Sequence, residues 1–251
     1  MNGCMKGYIE KIYGADIYYE VEGRGDPLLL IHGFTGSCLD WQPFRAKWSE
    51  QFRLILPDMR GHGYSTNPLT EYSFQQVALD LLLLLDRLQI KKCKAIGCSG
   101  GGNALLHMAC LQPQMIDAMV LVSATNYYPE QARALMCQTN IANMTKEEWQ
   151  RLRNQHHLGD AQIYKLFEQT RSFADSYDDM NFTSEELSKI VARTLLVQGD
   201  RDIFYPIDIS VEMYKSIPRC SLSIIPDAGH VPIAGDTQDY FIKMISKFLD
   251  G

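Results

Sequence analysis

Six short apolar runs constrain this chain more than any other feature: Leu28–Ile31, Leu54–Leu56, Lys94–Gly97, Met119–Val122, Leu195–Val197 and Leu222–Ile225. None alternates polar with apolar residues, as a strand with one wet face does. Continuous apolar runs of this length fit strands covered on both faces, the situation in a parallel sheet with helices above and below. Helical patterns separate most of them, over about Phe74–Leu88, Asn103–Leu111, Ile207–Ile217 and Tyr240–Leu249. Leu81–Leu85, flanked by Asp80 and Asp86, reads as the buried part of the first helix. This alternation predicts a doubly wound α/β fold. Upstream, Ile17, Tyr19 and Val21 alternate with Tyr18, Glu20 and Glu22, and Tyr8–Tyr13 reaches them through Gly14-Ala15-Asp16. That pattern predicts an antiparallel hairpin. The expected sheet is therefore mostly parallel and eight-stranded, two hairpin strands and six apolar runs.

One interval breaks the rhythm. Between Ser123 and Arg193 some 70 residues show no strand pattern, whereas connections in α/β units normally take about 2–6 residues. Ile163, Leu166, Phe167, Phe173 and Tyr177 recur there at helical spacing, and Lys146–His157 also reads as helix. The expected organisation is a core formed by residues 1–124 and 191–251, with residues 125–190 inserted after the sixth strand as a helical cap. A chain of 251 residues suits one such domain.

Charge narrows the partners. Lys plus Arg is 24 against 30 for Asp plus Glu, a net charge of −6, which argues against a general nucleic-acid binder. No apolar stretch approaches the ~20 residues that cross a bilayer, so no integral membrane segment is expected. Met1 to Tyr13 holds Asn2, Lys6, Glu10 and Lys11 without an apolar block. Neither a secretory leader nor a lipid on Cys4 is expected from it. The seven cysteines (4, 38, 93, 98, 110, 137 and 220) include no CxxC pair. Disulfides and a zinc knuckle are not expected, and the cytoplasm is the expected location.

The chemistry centres on Gly97-Cys98-Ser99-Gly100-Gly101-Gly102, which ends an apolar strand and precedes a helix. It fits G-x-S-x-G in the strand–turn–helix setting of an activated serine. Each glycine in a helix costs ~1 kcal/mol relative to alanine, so three where a helix begins point to a steric demand. A phosphate-binding loop would carry lysine after the glycines, and Asn103 stands there instead. A serine needs a base, and the base needs an orienting acid. The histidines are 32, 62, 107, 156, 157 and 230, and only His230 follows the last strand, as the order Ser…Asp/Glu…His requires. The acid should follow Leu195–Val197, where Asp200 and Asp202 compete. Oxyanion donors are expected from the backbone N–H of Gly100 and, in His32-Gly33-Phe34-Thr35-Gly36, from that of Phe34. All four loops leave the carboxyl ends of strands, where open α/β sheets bind ligands. His32 reads as structural, and His156-His157 as a solvated helix end rather than a metal site.

The segments LLLIHGFTGS (28–37), ILPDMRGHGYS (55–65), AIGCSGG (95–101), LLVQGDRD (195–202) and PDAGH (226–230) together resemble the α/β-hydrolase superfamily, over nearly the whole chain. In sequence and length the chain is similar to that group's small bacterial serine esterases with a helical cap. The resemblance implies Asp202 as the acid, three residues after the loop glycine, with Asp200 second. It implies Asp58 and Arg60 as structural residues. It also implies a carboxylesterase-like enzyme that cleaves esters of small or medium apolar acyl groups through an acyl-enzyme, with no metal or organic cofactor. The same triad serves lactonases, C–C bond hydrolases, thioesterases, aminopeptidases and perhydrolases. A ligand sensor with slow single turnover is a different class on the same fold. One departure stands out: Gly100 replaces the larger residue common after the nucleophile, which either opens the acyl side or reflects close packing. Tyr127, Tyr128, Met136, Met144, Trp149, Phe167 and Phe173 are the cap's candidates for an apolar pocket.

Overall fold

The computed structural model describes residues 6–250. Strands β1 (Lys6–Ile12) and β2 (Ala15–Gly23) pair antiparallel with Ile12 opposite Ala15. Tyr13 and Gly14 form the turn at φ 45° and 80°. Two successive left-handed residues match the twist of a two-residue hairpin. The turn therefore lies earlier than Gly14-Ala15-Asp16, because Tyr13 takes a positive φ that its residue type does not advertise.

The next strands are β3 (Asp26–Ile31), β4 (Phe52–Pro57), β5 (Cys93–Cys98), β6 (Ile116–Val122), β7 (Arg193–Gly199) and β8 (Cys220–Ile225). The sheet order is β1-β2-β4-β3-β5-β6-β7-β8. β2 meets β4 antiparallel, and every pair from β4 to β8 is parallel. After β3 the chain first adds β4 on one side and then β5 to β8 on the other. The direction of winding thus reverses between β3 and β5, which opens a crevice at their carboxyl ends.

Helices α1 (Gln42–Trp48), α2 (Phe74–Arg87), α3 (Gly100–Leu111), α8 (Ile207–Ser216) and α9 (Gln238–Asp250) flank the sheet. Alternate strand residues go to opposite layers. Leu29, Ile31, Ile55 and Ala95 pack into one cluster with Val77, Leu81, Leu105 and Ile209. Leu28, Leu30, Leu54 and Leu56 pack into another with Phe44, Trp48, Phe241 and Ile245. Both faces being dry explains why the strands show no alternation. Each Leu or Ile so buried contributes about 1.5–3 kcal/mol. α1 has no counterpart in the sequence reading, although Trp41, Phe44 and Trp48 recur at helical spacing and Pro43 sits in its first turn, where proline is tolerated.

Between β6 and β7 lie α4 (Glu130–Gln138), α5 (Lys146–Gln155), α6 (Asp160–Ser172) and α7 (Ser184–Leu187). The β pairing here, among the described residues, is one bridge between Tyr127 and Asn181. A capping box starts α5: Thr145 accepts from Glu148 N–H while the Glu148 carboxylate accepts from Thr145 N–H. Asp179 reaches back to the core and accepts from the Phe74 and Gln75 N–H groups at 2.7 and 3.0 Å, which ties the insertion to the start of α2.

Two buried carboxylates in the core, Asp80 and Asp58, are paired. Arg60 grips Asp80 of α2 through Nε and Nη2 at 2.6 and 2.7 Å, and the two residues are 0% and 1% exposed. Asp58 accepts from the N–H groups of Cys38 and Tyr64 at 2.8 and 2.9 Å. The cysteines among the described residues are free thiols, and Cys4 lies outside them. Among the described residues no helix is long and apolar enough to cross a membrane. Replacing Asp80 with Ala leaves the Arg60 charge buried and uncompensated. The expected result in urea denaturation is a loss of about 3–5 kcal/mol in unfolding free energy.

Candidate active site

Ser99 stands between β5 and α3 at φ 50°, ψ −117°, a left-handed conformation that costs a residue with a side chain about 1–3 kcal/mol. The surroundings enforce it. A Cβ on Gly97 would lie 2.5 Å from Gly101 O, and one on Gly101 would lie 2.3 Å from Ile31 O. Strand, turn and helix therefore meet backbone to backbone. Ser99 N–H donates to Val122 O at 2.7 Å, and Asn103 N–H donates to Ser99 O at 3.0 Å.

Three side chains form a hydrogen-bonded line. His230 Nε2 lies 2.8 Å from Ser99 Oγ, and His230 Nδ1 lies 2.8 Å from Asp202 Oδ2. An ionised carboxylate only accepts, so Nδ1 carries the proton and Nε2 is the acceptor that faces the serine hydroxyl. Asp202 is itself held from three directions. Its Oδ1 accepts from Phe204 and Tyr205 N–H at 2.8 and 3.2 Å, and its Oδ2 accepts from Gln198 Nε2 at 2.8 Å. Burial pushes its pKa up, but the His230 contact and the two backbone N–H groups outweigh this, and the net shift is downward. Phe204 and Tyr205 also pack against the imidazole, with ring centroids at 4.9 and 5.3 Å.

Asp200 does not join this line; its nearest cation is Arg201, at 3.9 Å. The loops that bear Asp202 and His230 touch at Gly199, where a Cβ would lie 2.2 Å from Gly229 O. Arg201 N–H donates across the same junction to Ala228 O at 2.9 Å.

Phe34 and Gly100 flank the serine. A Cβ at Gly33 would sit 3.7 Å from Ser99 Cβ, and one at Gly100 would sit 3.2 Å from Phe34 Cβ. Gly100 opens α3, where backbone N–H groups have no partner within the helix. Its missing side chain is accounted for by close packing, since a Cβ there would also come within 2.8 Å of Phe74 Cε1. His32 is fully buried and structural in its contacts: Met59 N–H donates to Nε2 at 3.0 Å, and Nδ1–H donates to Gly33 O at 2.7 Å. Burial lowers its pKa to about 3, so it stays neutral.

The pair His156-His157 departs from the sequence reading. His157 is exposed and stacks on Tyr64 at 3.9 Å. His156, the C-cap of α5, is only 2% exposed and bonds to the backbone of Gly63 and Thr35. Nothing local in the sequence signals this, because both partners lie about a hundred residues away.

Two cavities meet at Ser99. One, of about 380 Å³, runs past Phe34, Trp41, Phe44 and His230 to Arg151. The other, of about 240 Å³, lies under the inserted helices between Phe34, Phe74, Tyr128, Met136, Phe173 and Tyr205. Of the inserted residues singled out in the sequence, Tyr128, Met136 and Phe173 line this second cavity. Trp149 instead packs edge-on against Tyr164.

A parallel sheet reversed at β3/β5, with a serine on a left-handed turn at that reversal, defines a hydrolase architecture. A sequence profile described as the alpha/beta hydrolase fold matches residues 26–157, and the chain belongs to this family. Over 113 residues it is 34% identical to the uncharacterized protein Rv2715 of Mycobacterium tuberculosis. That match covers 45% of this chain and 33% of the relative, so it spans about a third of that protein. Among solved structures, a mutant of the meta-cleavage product hydrolase CumD of Pseudomonas fluorescens IP01 superposes with a TM-score of 0.82 at 23% identity, covering 97% of this chain and 98% of that one. A thermophilic esterase from Thermogutta terrifontis gives 0.79 at 20% identity, with 98% of each chain covered. These structures share the fold.

The lowered pKa of Asp202 fixes the sign of its pH effect. The ionised form is favoured by folding, so its stabilisation is complete above the ordinary carboxylate pKa of about 3.9 and is lost as pH falls through the lower folded value. Chemical denaturation of the wild type and Asp202→Asn should show a stability gap at neutral pH that closes on acidification below about pH 4.

Proposed function

We propose that the protein is a serine hydrolase that cleaves carboxylic esters of small or medium apolar acyl groups. Ser99 is the nucleophile, His230 the general base and acid, and Asp202 the orienting carboxylate. The N–H groups of Phe34 and Gly100 form the oxyanion hole, and residues 125–190 act as the cap. The observation that carries this reading is the unbroken line of two 2.8 Å hydrogen bonds that ends on a serine held at φ 50°. A stability argument alone offers no reason to strain that residue.

In the proposed reaction, His230 Nε2 takes the Ser99 proton as Oγ attacks the ester carbonyl. The carbonyl oxygen becomes an oxyanion and turns towards the Phe34 and Gly100 N–H groups. Asp202 stabilises the imidazolium, which then gives its proton to the departing alcohol. Water, deprotonated by the same imidazole, attacks the acyl-enzyme, and the acid leaves as Oγ regains a proton. Side chains, backbone N–H groups and water suffice for every step. The smaller cavity, walled by Tyr128, Met136 and Phe173, suits an apolar acyl group.

Turnover of p-nitrophenyl acetate and butyrate, together with fluorophosphonate labelling of Ser99, tests the reading. Multiple turnovers and a labelled serine are expected, and Ser99→Ala should lower kcat by roughly 10⁴-fold or more. Near wild-type turnover by Ser99→Ala would overturn the mechanism. A single burst without further turnover would favour a sensor.

A further inference from the structure

Thr35 follows the oxyanion donor Phe34 and holds a left-handed φ of 65° without being glycine. Its backbone is gripped on both sides. Thr35 N–H donates to His62 Nε2 at 3.2 Å, and Thr35 O faces His156 Nε2 at 3.0 Å. The outer nitrogens are also engaged: His62 Nδ1 lies 2.9 Å from Arg60 O, and Gly63 N–H donates to His156 Nδ1 at 3.0 Å. In each imidazole one nitrogen accepts a backbone N–H, so the other carries the proton and donates to a carbonyl. The tautomers are thereby fixed. His62 donates from Nδ1 and His156 from Nε2.

This chain of bonds joins three segments: the turn after β4, the loop after β3, and the end of α5 in the insertion. Both rings are buried, at 0% and 2% exposure, which favours the neutral forms that the bonding requires. A second proton on either ring would point an N–H at another N–H.

We propose that His156 is a positioning residue for the oxyanion hole: an insertion side chain that holds Thr35 O, and through it the adjoining Phe34 N–H, where negative charge develops. The proposal rests on the serine-hydrolase reading above. A change at the strained Thr35 φ turns the Phe34–Thr35 peptide, which adjoins the Gly33–Phe34 peptide that carries the donor N–H. The core holds the turn through His62 and through Gly36 N–H, which donates to Gly33 O at 3.0 Å. The remaining contact comes from a residue 121 positions downstream, and it is present only while the insertion is seated.

The seating does not depend on the imidazole. His157 N–H donates to Gly63 O at 3.1 Å, and Gln162 Nε2 donates to Gly61 O and Gly63 O at 3.0 and 3.1 Å. Removing the His156 ring therefore slackens Thr35 while the insertion stays docked.

Two replacements separate the ring's two bonds. In His156→Gln the amide nitrogen takes the place of Nε2 and keeps the donor to Thr35. In His156→Asn the amide oxygen takes the place of Nδ1 and keeps the acceptor for Gly63 but loses the reach to Thr35. With p-nitrophenyl butyrate, His156→Asn should lower kcat by about 10–100-fold with KM within about threefold, the size of loss expected when a catalytic donor is misplaced. His156→Gln should retain kcat within about fivefold. Butylboronic acid, whose adduct on Ser99 mimics the tetrahedral intermediate, should bind His156→Asn more weakly in proportion to the loss in kcat/KM. Binding of the product butyrate should be unchanged. Equal activity of the two variants, or a rise in KM with kcat retained, overturns the positioning role while leaving the hydrolase reading intact. Absence of wild-type turnover and of Ser99 labelling removes the hydrolase reading, and the positioning role with it.

Discussion

Contact between bare backbones is the constraint on which the rest of this structure depends. At Gly97, Gly101 and Gly199 a single added carbon would come within 2.6 Å of a main-chain atom of another segment. Side chains adapt by changing rotamer, whereas main-chain carbonyls move only with the whole strand or helix that holds them. The loops after β3 and β5 are consequently registered against each other, as are those after β7 and β8, before any side-chain interaction is counted. The first junction carries Ser99, the second carries Asp202 and His230, and the 2.8 Å contact from His230 to Ser99 spans the two.

Electrostatics then divides the ionisable residues into three kinds. Asp202 is kept charged by donors on every side, with backbone N–H groups, an amide and the imidazole all directed at one buried carboxylate. His32, His62 and His156 are kept neutral by burial and by backbone donors that occupy one nitrogen of each ring. The Arg60–Asp80 pair is a third case: it is buried and bidentate, and neither residue lines a cavity at Ser99. Burial by itself therefore does not mark a group as functional. What distinguishes Asp202 is that its partner ends on a strained serine facing a cavity.

The legible parts of the sequence were those with local causes. Strands covered on both faces read as apolar runs, because Leu28 and Leu29 each have a dry neighbour on their own side of the sheet. The turn at Ser99 was readable from glycines whose only account is steric. His230 followed from chain order, and the choice of Asp202 over Asp200 came from family resemblance; in space only Asp202 reaches the imidazole. The remainder lacked local causes. The hairpin turn depends on a left-handed Tyr13, α1 is short and begins beside a proline, and the burial of His156 comes from partners in distant loops. Gly100 was ambiguous because its neighbours Phe74 and Phe34 are brought together only by the fold.

The division of labour between sheet rim and insertion bears on how such a protein can diversify. Tyr128, Met136, Thr170 and Phe173 wall the smaller cavity, yet none belongs to the glycine junctions that register the rim. Mutational drift among these wall residues can reshape the chamber while the hydrogen-bonded line from Asp202 to Ser99 stays intact. His156 and Gln162 are exceptions within the insertion, since they are moored to the rim itself. Selection for a new substrate thus has freedom in the chamber wall and little in its moorings, and a family radiating from this scaffold should vary at the former and hold the latter.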